Sequence, residues 1–177
     1  MFFGVYLEYF SIRELNWSVI LIFIIGLSII LILGKIIEIY VYNDKSVEDI
    51  RKQDVINAFI NRNDRIIIWF FFPIIIIIEE LVFRYYSIGI LVHVLDLESV
   101  TAIFISSLGF SLFHIHIWYR YKNLTILIIN LGYPFLMGLY IGYLFLKLGI
   151  ITCIIIHYVI ALSLYYNIYR RYLKIKN

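Results

Sequence analysis

Three charged residues stand together in a stretch of sequence that is otherwise apolar. Glu79, Glu80 and Arg84 follow directly on the apolar run Pro73 to Ile78. A charged group at bilayer depth costs about 2.5 kcal/mol or more unless it faces a partner or a water-filled cavity. Glu80 and Arg84 are four residues apart, so a helix would place them on one face as an ion pair, which by itself could be purely structural. Glu79 points about 100° away from Glu80 around such a helix, so one arginine cannot easily neutralise both carboxylates, and Glu79 is a candidate general base.

Histidines in two later apolar runs could complete such a site. Phe110 and His114 share a helix face, and His157 lies in the last apolar run. One histidine in an apolar helix commonly makes only a hydrogen bond between helices, but two, in a chain that also buries two glutamates, favour a functional site. His93 and His116 lie near the ends of their runs, where an interfacial position is an equal alternative.

The amino-acid composition indicates that these residues belong to a membrane protein. Of the 177 residues 63% are hydrophobic and 15% are charged, whereas soluble domains carry roughly 25% charged residues. We therefore expect one integral membrane domain over residues 1–177, in contact with membrane lipids and with no nucleic-acid partner. The lone cysteine, Cys153, excludes an internal disulfide.

Five apolar runs are long enough to cross a bilayer, and runs of this length without alternation fit helices and not strands. The sequence therefore predicts an all-α polytopic bundle of about five transmembrane helices. The runs are Trp17 to about Tyr42, Ile66 to about Val94, about Val100 to Trp118, Leu124 to Leu146, and Ile150 to about Ile168. The last two are separated only by Lys147, Leu148 and Gly149, which predicts a tight helical hairpin. The polar stretch Asn43 to Arg65 is expected to contain an amphipathic helical segment around Val47 to Ile60.

The basic residues predict the orientation. Eleven of the fifteen lysines and arginines fall on one side of the membrane if the first helix starts outside: Lys45, Arg51, Lys52, Arg62, Arg65, Arg120, Lys122, Arg170, Arg171, Lys174 and Lys176. The positive-inside rule then places the amino terminus outside and the carboxyl terminus in the cytoplasm. We expect a multi-pass protein in the cell membrane of a prokaryote.

Pro73 affects the depth of the glutamates. If the second crossing began at Ile66, Glu79 would lie about 20 Å above the cytoplasmic boundary and His114 about 6 Å above it. Proline is favoured in the first turn of a helix and disrupts a helix interior, so we expect the crossing to start near Pro73 and residues Ile66 to Phe72 to lie along the interface. Glu79 then lies roughly 9 Å deep, and the site opens toward the cytoplasm.

Taken in order, these residues resemble the three-motif signature of a known family. The motifs are Glu-Glu-x-x-x-Arg at Glu79, Glu80 and Arg84, Phe-x-x-x-His at Phe110 and His114, and a histidine in a later helix at His157. This is similar to the CAAX protease and bacteriocin-processing family of intramembrane endopeptidases, also called the Abi family. The protease-like core would cover about residues 66–168.

The resemblance implies hydrolysis of a peptide bond inside the membrane by an activated water. Glu79 would be the general base, and His114 would help to hold and polarise the water. Glu80 and Arg84 would order the site, and His157 would donate to the oxyanion of the tetrahedral intermediate. The substrate would be a hydrophobic or lipid-modified peptide, or a membrane protein, cut near the cytoplasmic face.

The resemblance leaves the cofactor open. Members of the family are often described as metalloproteases, and Glu79, His114 and His157 would be the ligands if a metal such as zinc is present. The spacing is not that of His-Glu-x-x-His, and a metal-free glutamate mechanism fits the residues equally well.

One position departs from the family pattern. Four residues after the third-motif histidine the family usually has Asn or Asp, whereas this chain has Ala161, which offers no side-chain donor. The alternative to a protease is therefore a weakly active or inactive protein of the same fold, acting as a bacteriocin self-immunity factor or sensor regulator. Proton-coupled transport ranks third, since no inverted repeat is visible.

Overall fold

The computed structural model describes residues 6–42, 47, 49, 54–60 and 66–176, and most of these residues are helical. The α-helices are α1 (Trp17–Ile36), α2 (Asp54–Ile60), α3 (Phe72–Glu80), α4 (Gly89–His93), α5 (Ser99–Phe113), α6 (His116–Tyr121) and α7 (Leu124–Lys176). A short 3₁₀ turn, Leu7–Phe10, precedes them, and no strand occurs in the described part of the chain. The all-α prediction is confirmed.

Only part of the predicted amphipathic segment can be compared. Helix α2, Asp54–Ile60, falls within it, while Lys45, Arg51, Lys52, Arg62 and Arg65 lie outside the described residues. The predicted orientation, which depends on those basic residues, stays a prediction.

Three of the described helices are long and apolar enough to cross a membrane: Trp17–Val41, Ser99–Tyr119 and Leu124–Lys174. The last contains a sharp break at Gly149, where φ is 77° and ψ is 176°. We call the two parts α7a (residues 124–148) and α7b (residues 150–176). The five predicted runs coincide with helical segments, and the number of crossings stays a prediction.

The break at Gly149 folds α7 back on itself. The Cys153 sulfur lies 3.5 Å from the carbonyl oxygen of Ile141, although twelve residues along a straight helix would span about 18 Å. The chain therefore makes the tight hairpin that the sequence predicted. A Cβ at Gly149 would lie 2.7 Å from the carbonyl oxygens of Tyr9 and Ser11, so both the backbone angles and the space require glycine.

Helix α1 packs against α7a through tyrosines. Asn16 caps the start of α1 by accepting a hydrogen bond from the Val19 N–H at 2.9 Å. Along the helix, the Tyr140 hydroxyl donates to the Phe23 carbonyl (2.7 Å) and the Tyr133 hydroxyl to the Ile30 carbonyl (3.2 Å). Eight of the 20 residues of α1 are exposed apolar side chains, as expected of a helix whose outer face meets lipid.

Helix α5 lies close against α7a because of small residues at the contact. A Cβ at Gly138 would lie 2.9 Å from Ser107 Cβ, and one at Gly142 would lie 2.8 Å from Ile103 Cγ2. Glycine lets helix backbones approach closely where there is no hydrophobic drive between helices in lipid. This approach brings the end of α5, with His114, next to the hairpin that carries His157.

The segment that carries the glutamates is a continuous helix in which π-helical and α-helical stretches alternate. Ile67–Phe71 and Leu81–Ile88 are π-helical, and α3 lies between them. Pro73 lies in the first turn of the α-helical segment α3 and has no backbone N–H to donate. The helix does not begin at Pro73, however, because Phe71 and Phe72 have right-handed helical backbone angles and Ile67–Phe71 runs directly into α3. The membrane depth of residues 66–72 stays a prediction.

Candidate active site

The predicted ion pair between Glu80 and Arg84 is present and fully buried. Arg84 Nε lies 3.3 Å from Glu80 Oε2, and both side chains are 0% exposed. The Arg84 guanidinium also stands 4.6 Å from the centre of the Phe110 ring, a cation–π contact that strengthens when water is excluded. The first and second motifs therefore meet through Arg84 and Phe110.

His157 lies between the two glutamates. Its Nδ1 is 2.8 Å from Glu80 Oε1, and its Nε2 is 3.8 Å from Glu79 Oε2. Because an ionised carboxylate only accepts hydrogen bonds, the Nδ1–H donates to Glu80 when that group is paired with Arg84 as an anion. The ring is thereby held in one orientation, and only Nε2 is left to meet a substrate.

His114 is oriented by its own helix. It stands at the carboxyl-terminal end of α5, and its Nδ1 lies 2.8 Å from the Phe110 carbonyl oxygen. A carbonyl oxygen can only accept, so Nδ1 carries the hydrogen, and the neutral ring keeps a lone pair on Nε2. The Phe110 ring packs edge-on against both histidines, with centroid distances of 4.8 Å to His114 and 5.6 Å to His157. The Phe-x-x-x-His spacing thus serves both the orientation and the packing of His114.

Glu79, His114 and His157 line one cavity of about 230 Å³ between α3, α5 and the α7 hairpin. Glu80 and Arg84 do not line it; they are buried behind it, where they hold His157 and Phe110. Most of the other lining residues are aliphatic or aromatic, and three are tyrosines that also carry a hydroxyl group: Tyr42, Val55, Phe72, Ile75, Ile76, Ile117, Ile129, Tyr133, Pro134, Met137, Ala161, Leu164 and Tyr165. The arrangement can hold a water and a peptide bond among polar groups in a largely apolar enclosure.

Two polar residues on this wall, His116 and Asn130, are not among the site residues predicted from the sequence. His116 lines the cavity with its ring centre 6.3 Å from that of His114, although the sequence left an interfacial position equally open. Asn130 also lines it. The sequence signal for Asn130 was that it is a lone amide in the apolar run that begins at Leu124, but this does not indicate which way the side chain faces.

The predicted metal ligands do not form a metal centre in the described part of the chain. No group of three or more His, Cys, Asp or Glu side chains there is arranged to hold an ion. Of the three candidates, Glu79 and His157 approach each other to 3.8 Å, and His157 Nδ1 is engaged by Glu80. We therefore derive no chemical step through a metal.

Comparison with known protein families identifies a matching family. The family described as type II CAAX prenyl endopeptidase Rce1-like matches residues 61–163, more than half of the chain. The matched range contains all three motifs. No curated protein and no solved structure matches the chain.

Proposed function

Since the chain belongs to the Rce1-like family of type II CAAX prenyl endopeptidases, we propose that it hydrolyses a peptide bond with a water activated by Glu79 and His114. The family and the apolar helices make it an integral membrane protein of a CAAX-type intramembrane protease family. The observation that carries the proposed mechanism is that Glu79, His114 and His157 open onto one cavity.

The hydrogen-bonding capacity of the two activating groups fits a single water. Glu79 and the His114 Nε2 are both acceptors, so a water between them would donate one hydrogen to each. Its oxygen lone pair is then free to attack the carbonyl carbon of the substrate. As the new C–O bond forms, Glu79 takes the proton, and it returns this proton to the leaving amine when the C–N bond breaks.

Glu80 and Arg84, which lie behind the cavity, orient His157 toward the substrate. Because Glu80 holds the His157 Nδ1–H, the ring can reach the substrate only through Nε2. Since Nδ1–H is given to Glu80, Nε2 carries a hydrogen only in the imidazolium form of the ring, and in that form it would donate to the oxyanion of the tetrahedral intermediate. Arg84 offsets the charge of Glu80, so His157 is oriented without leaving an uncompensated buried anion.

The cavity wall supports a hydrophobic substrate. Apart from Glu79, Asn130 and the three histidines, the lining side chains are aliphatic or aromatic or belong to proline, methionine or alanine. Aliphatic residues beside the scissile bond would replace water in the cavity, which strengthens the polar interactions within it. We propose a hydrophobic or lipid-modified peptide as the substrate.

Two variants in lipid nanodiscs test this proposal. The probes are an internally quenched S-farnesylated peptide ending in Cys-aliphatic-aliphatic-X and the same peptide without the lipid. We expect Glu79→Gln and His114→Ala each to lower kcat by about 10²-fold or more, because each removes one partner of the attacking water. His93→Ala is the matched control, since His93 lies outside the cavity and contacts Tyr9.

The outcomes distinguish a protease from a non-catalytic protein of the same fold. Cleavage by the unmodified chain that is lost in both variants, at equal membrane level, supports hydrolysis. Cleavage that survives in both variants overturns the assigned roles. If the unmodified chain cuts neither peptide, the proposal fails, and the non-catalytic immunity or regulatory role takes its place.

A further inference from the structure

Met137 lies opposite His157 across the α7 hairpin. The contact of the Cys153 sulfur with the Ile141 carbonyl oxygen, at 3.5 Å, pairs the two arms at these residues. One helical turn further from the break at Gly149, about 6 Å along each axis, α7a reaches Met137 and α7b reaches His157. Both residues are 4% exposed, and both line the active-site cavity. Met137 is therefore the neighbour, on α7a, of the imidazole that faces the substrate.

Met137 and His157 form the closed end of the cavity. Toward the break, Ile141 and Cys153 are 0% exposed and do not line it. The other cavity-lining residues of the hairpin all lie further from the break: Ile129, Asn130, Tyr133 and Pro134 on α7a, and Ala161, Leu164 and Tyr165 on α7b. The Met137 side chain is thus the floor of the cavity on the α7a side.

The backbone that carries Met137 is held in place by α5. A Cβ at the next residue, Gly138, would lie 2.9 Å from Ser107 Cβ, so the two helices are already in close contact there. Met137 also belongs to the buried hydrophobic core. In a close-packed interior it can yield to a substrate only by changing its own rotamer.

A peptide bond within reach of His157 brings a neighbouring side chain to this floor. The carbonyl oxygen would lie about 3 Å from Nε2, and the two flanking Cα atoms are about 3.8 Å apart. Successive side chains of an extended peptide point to opposite sides, so one flanking side chain points to the mouth and the other to the floor. The whole cavity measures only about 230 Å³, whereas ligand pockets typically measure about 300–1,000 Å³. A large side chain on the floor would have to displace Met137.

We propose that Met137 determines substrate specificity by limiting the size of the side chain that points to the closed end of the cavity. That side chain belongs to one of the two residues that flank the scissile bond. This inference rests on the proposed function. Small aliphatic side chains are accepted at this position, aromatic rings are excluded by contact with Met137, and a lipid chain on the other flanking residue points to the mouth.

Kinetics of the full-length chain in nanodiscs test this role. The scissile bond of the internally quenched farnesylated peptide is located by mass spectrometry, and alanine or phenylalanine is placed at each flanking position other than the lipid-modified cysteine. We expect the unmodified chain to favour alanine at least tenfold in kcat/KM at one position, because a single methylene in a pocket is worth about 10- to 200-fold. Met137→Ala should lower this preference by about tenfold or more.

Three further variants serve as controls. Met137→Leu keeps a similar side-chain volume and should keep the preference. Met137→Val should lower the preference less than Met137→Ala, and it tests the role if Met137→Ala folds poorly. Leu139→Ala is the matched control, since Leu139 is a partly buried residue of α7a that does not line the cavity. The preference is a ratio between two peptides on one sample, so a loss of folded protein does not change it.

The outcomes distinguish this role from the proposed function. The role of Met137 is overturned if the unmodified chain cleaves both peptides equally, or if neither Met137→Ala nor Met137→Val changes the preference. It is also overturned if Leu139→Ala changes the preference as much as Met137→Ala does. In these cases the proposed function stands, provided that Glu79→Gln is inactive. If the unmodified chain cleaves no peptide, or if Glu79→Gln is as active as the unmodified chain, the proposed function fails, and the role of Met137 fails with it.

Discussion

Replacing Arg84 by methionine tests whether the buried charges behind the cavity hold the bundle together. The guanidinium is completely buried, lies 3.3 Å from Glu80 Oε2, and stands over the Phe110 ring at 4.6 Å. Methionine has a similar length but no charge, so the variant leaves the Glu80 carboxylate buried with only His157 as a partner. Removing one member of a buried pair costs about 3–5 kcal/mol, because the other charge stays uncompensated.

The single cysteine provides the assay. Cys153 is 0% exposed, so a maleimide dye that fluoresces on reaction with a thiol reports unfolding on heating. At about 2–4 °C per kcal/mol for a chain of this size, Arg84→Met should lower the melting temperature by roughly 6–20 °C. Lys147→Met is the control: Lys147 pairs with Glu14 at the surface, where such pairs often contribute nothing measurable.

A second variant isolates the cause. Glu80→Gln combined with Arg84→Met removes both charges, while glutamine can still accept the hydrogen bond from His157 Nδ1. The double variant should therefore melt above Arg84→Met alone. Two results would refute this reasoning: a double variant with a lower melting temperature than Arg84→Met, or an Arg84→Met variant with the same melting temperature as the unmodified chain. Either would show that Arg84 does not stabilise the bundle by compensating the buried Glu80 carboxylate.

Three glycine substitutions, followed by the same thiol assay, test the packing that positions the site. Gly138→Ala should destabilise the bundle by about 1–3 kcal/mol, because its Cβ would lie 2.9 Å from Ser107 Cβ. Gly132→Ala is the control: no atom lies within 4 Å of its Cβ, so this variant should be neutral or stabilising by up to about 1 kcal/mol. Equal melting temperatures for these two would contradict the close contact of α5 with α7a. Gly149→Ala should cost about 1–3 kcal/mol or more, since alanine is strained at a φ of 77° and its Cβ would meet the Ser11 carbonyl oxygen; an unchanged melting temperature would refute the hairpin geometry.

Some of the site was predictable because it depends only on distance along the chain. Residues four apart on a helix share a face, so the pairing of Glu80 with Arg84 and the packing of Phe110 on His114 follow from spacing. The hairpin at Gly149 likewise follows from a three-residue gap between two apolar runs. The order of the three motifs was sufficient to indicate the protease family that the family comparison then showed.

The contacts between helices could not be predicted in the same way. Helices α1, α5 and α7 are apolar around most of their circumference, so hydrophobic periodicity does not indicate which face is turned inward. The bridging position of His157, whose Nδ1 meets Glu80 from 77 residues away, depends on that rotation. The presence of His116 and Asn130 on the cavity wall depends on it as well.

The sequence by itself determined the all-helical membrane class, the local ion pair and the family, because hydropathy and spacing along one helix act over short distances. Only the tertiary structure decided that Glu80 and Arg84 stand behind the cavity and that Asn130 faces it. The physical reason is close packing: glycines such as Gly138 set how near α5 and α7a approach, and that approach fixes which polar groups share one enclosure.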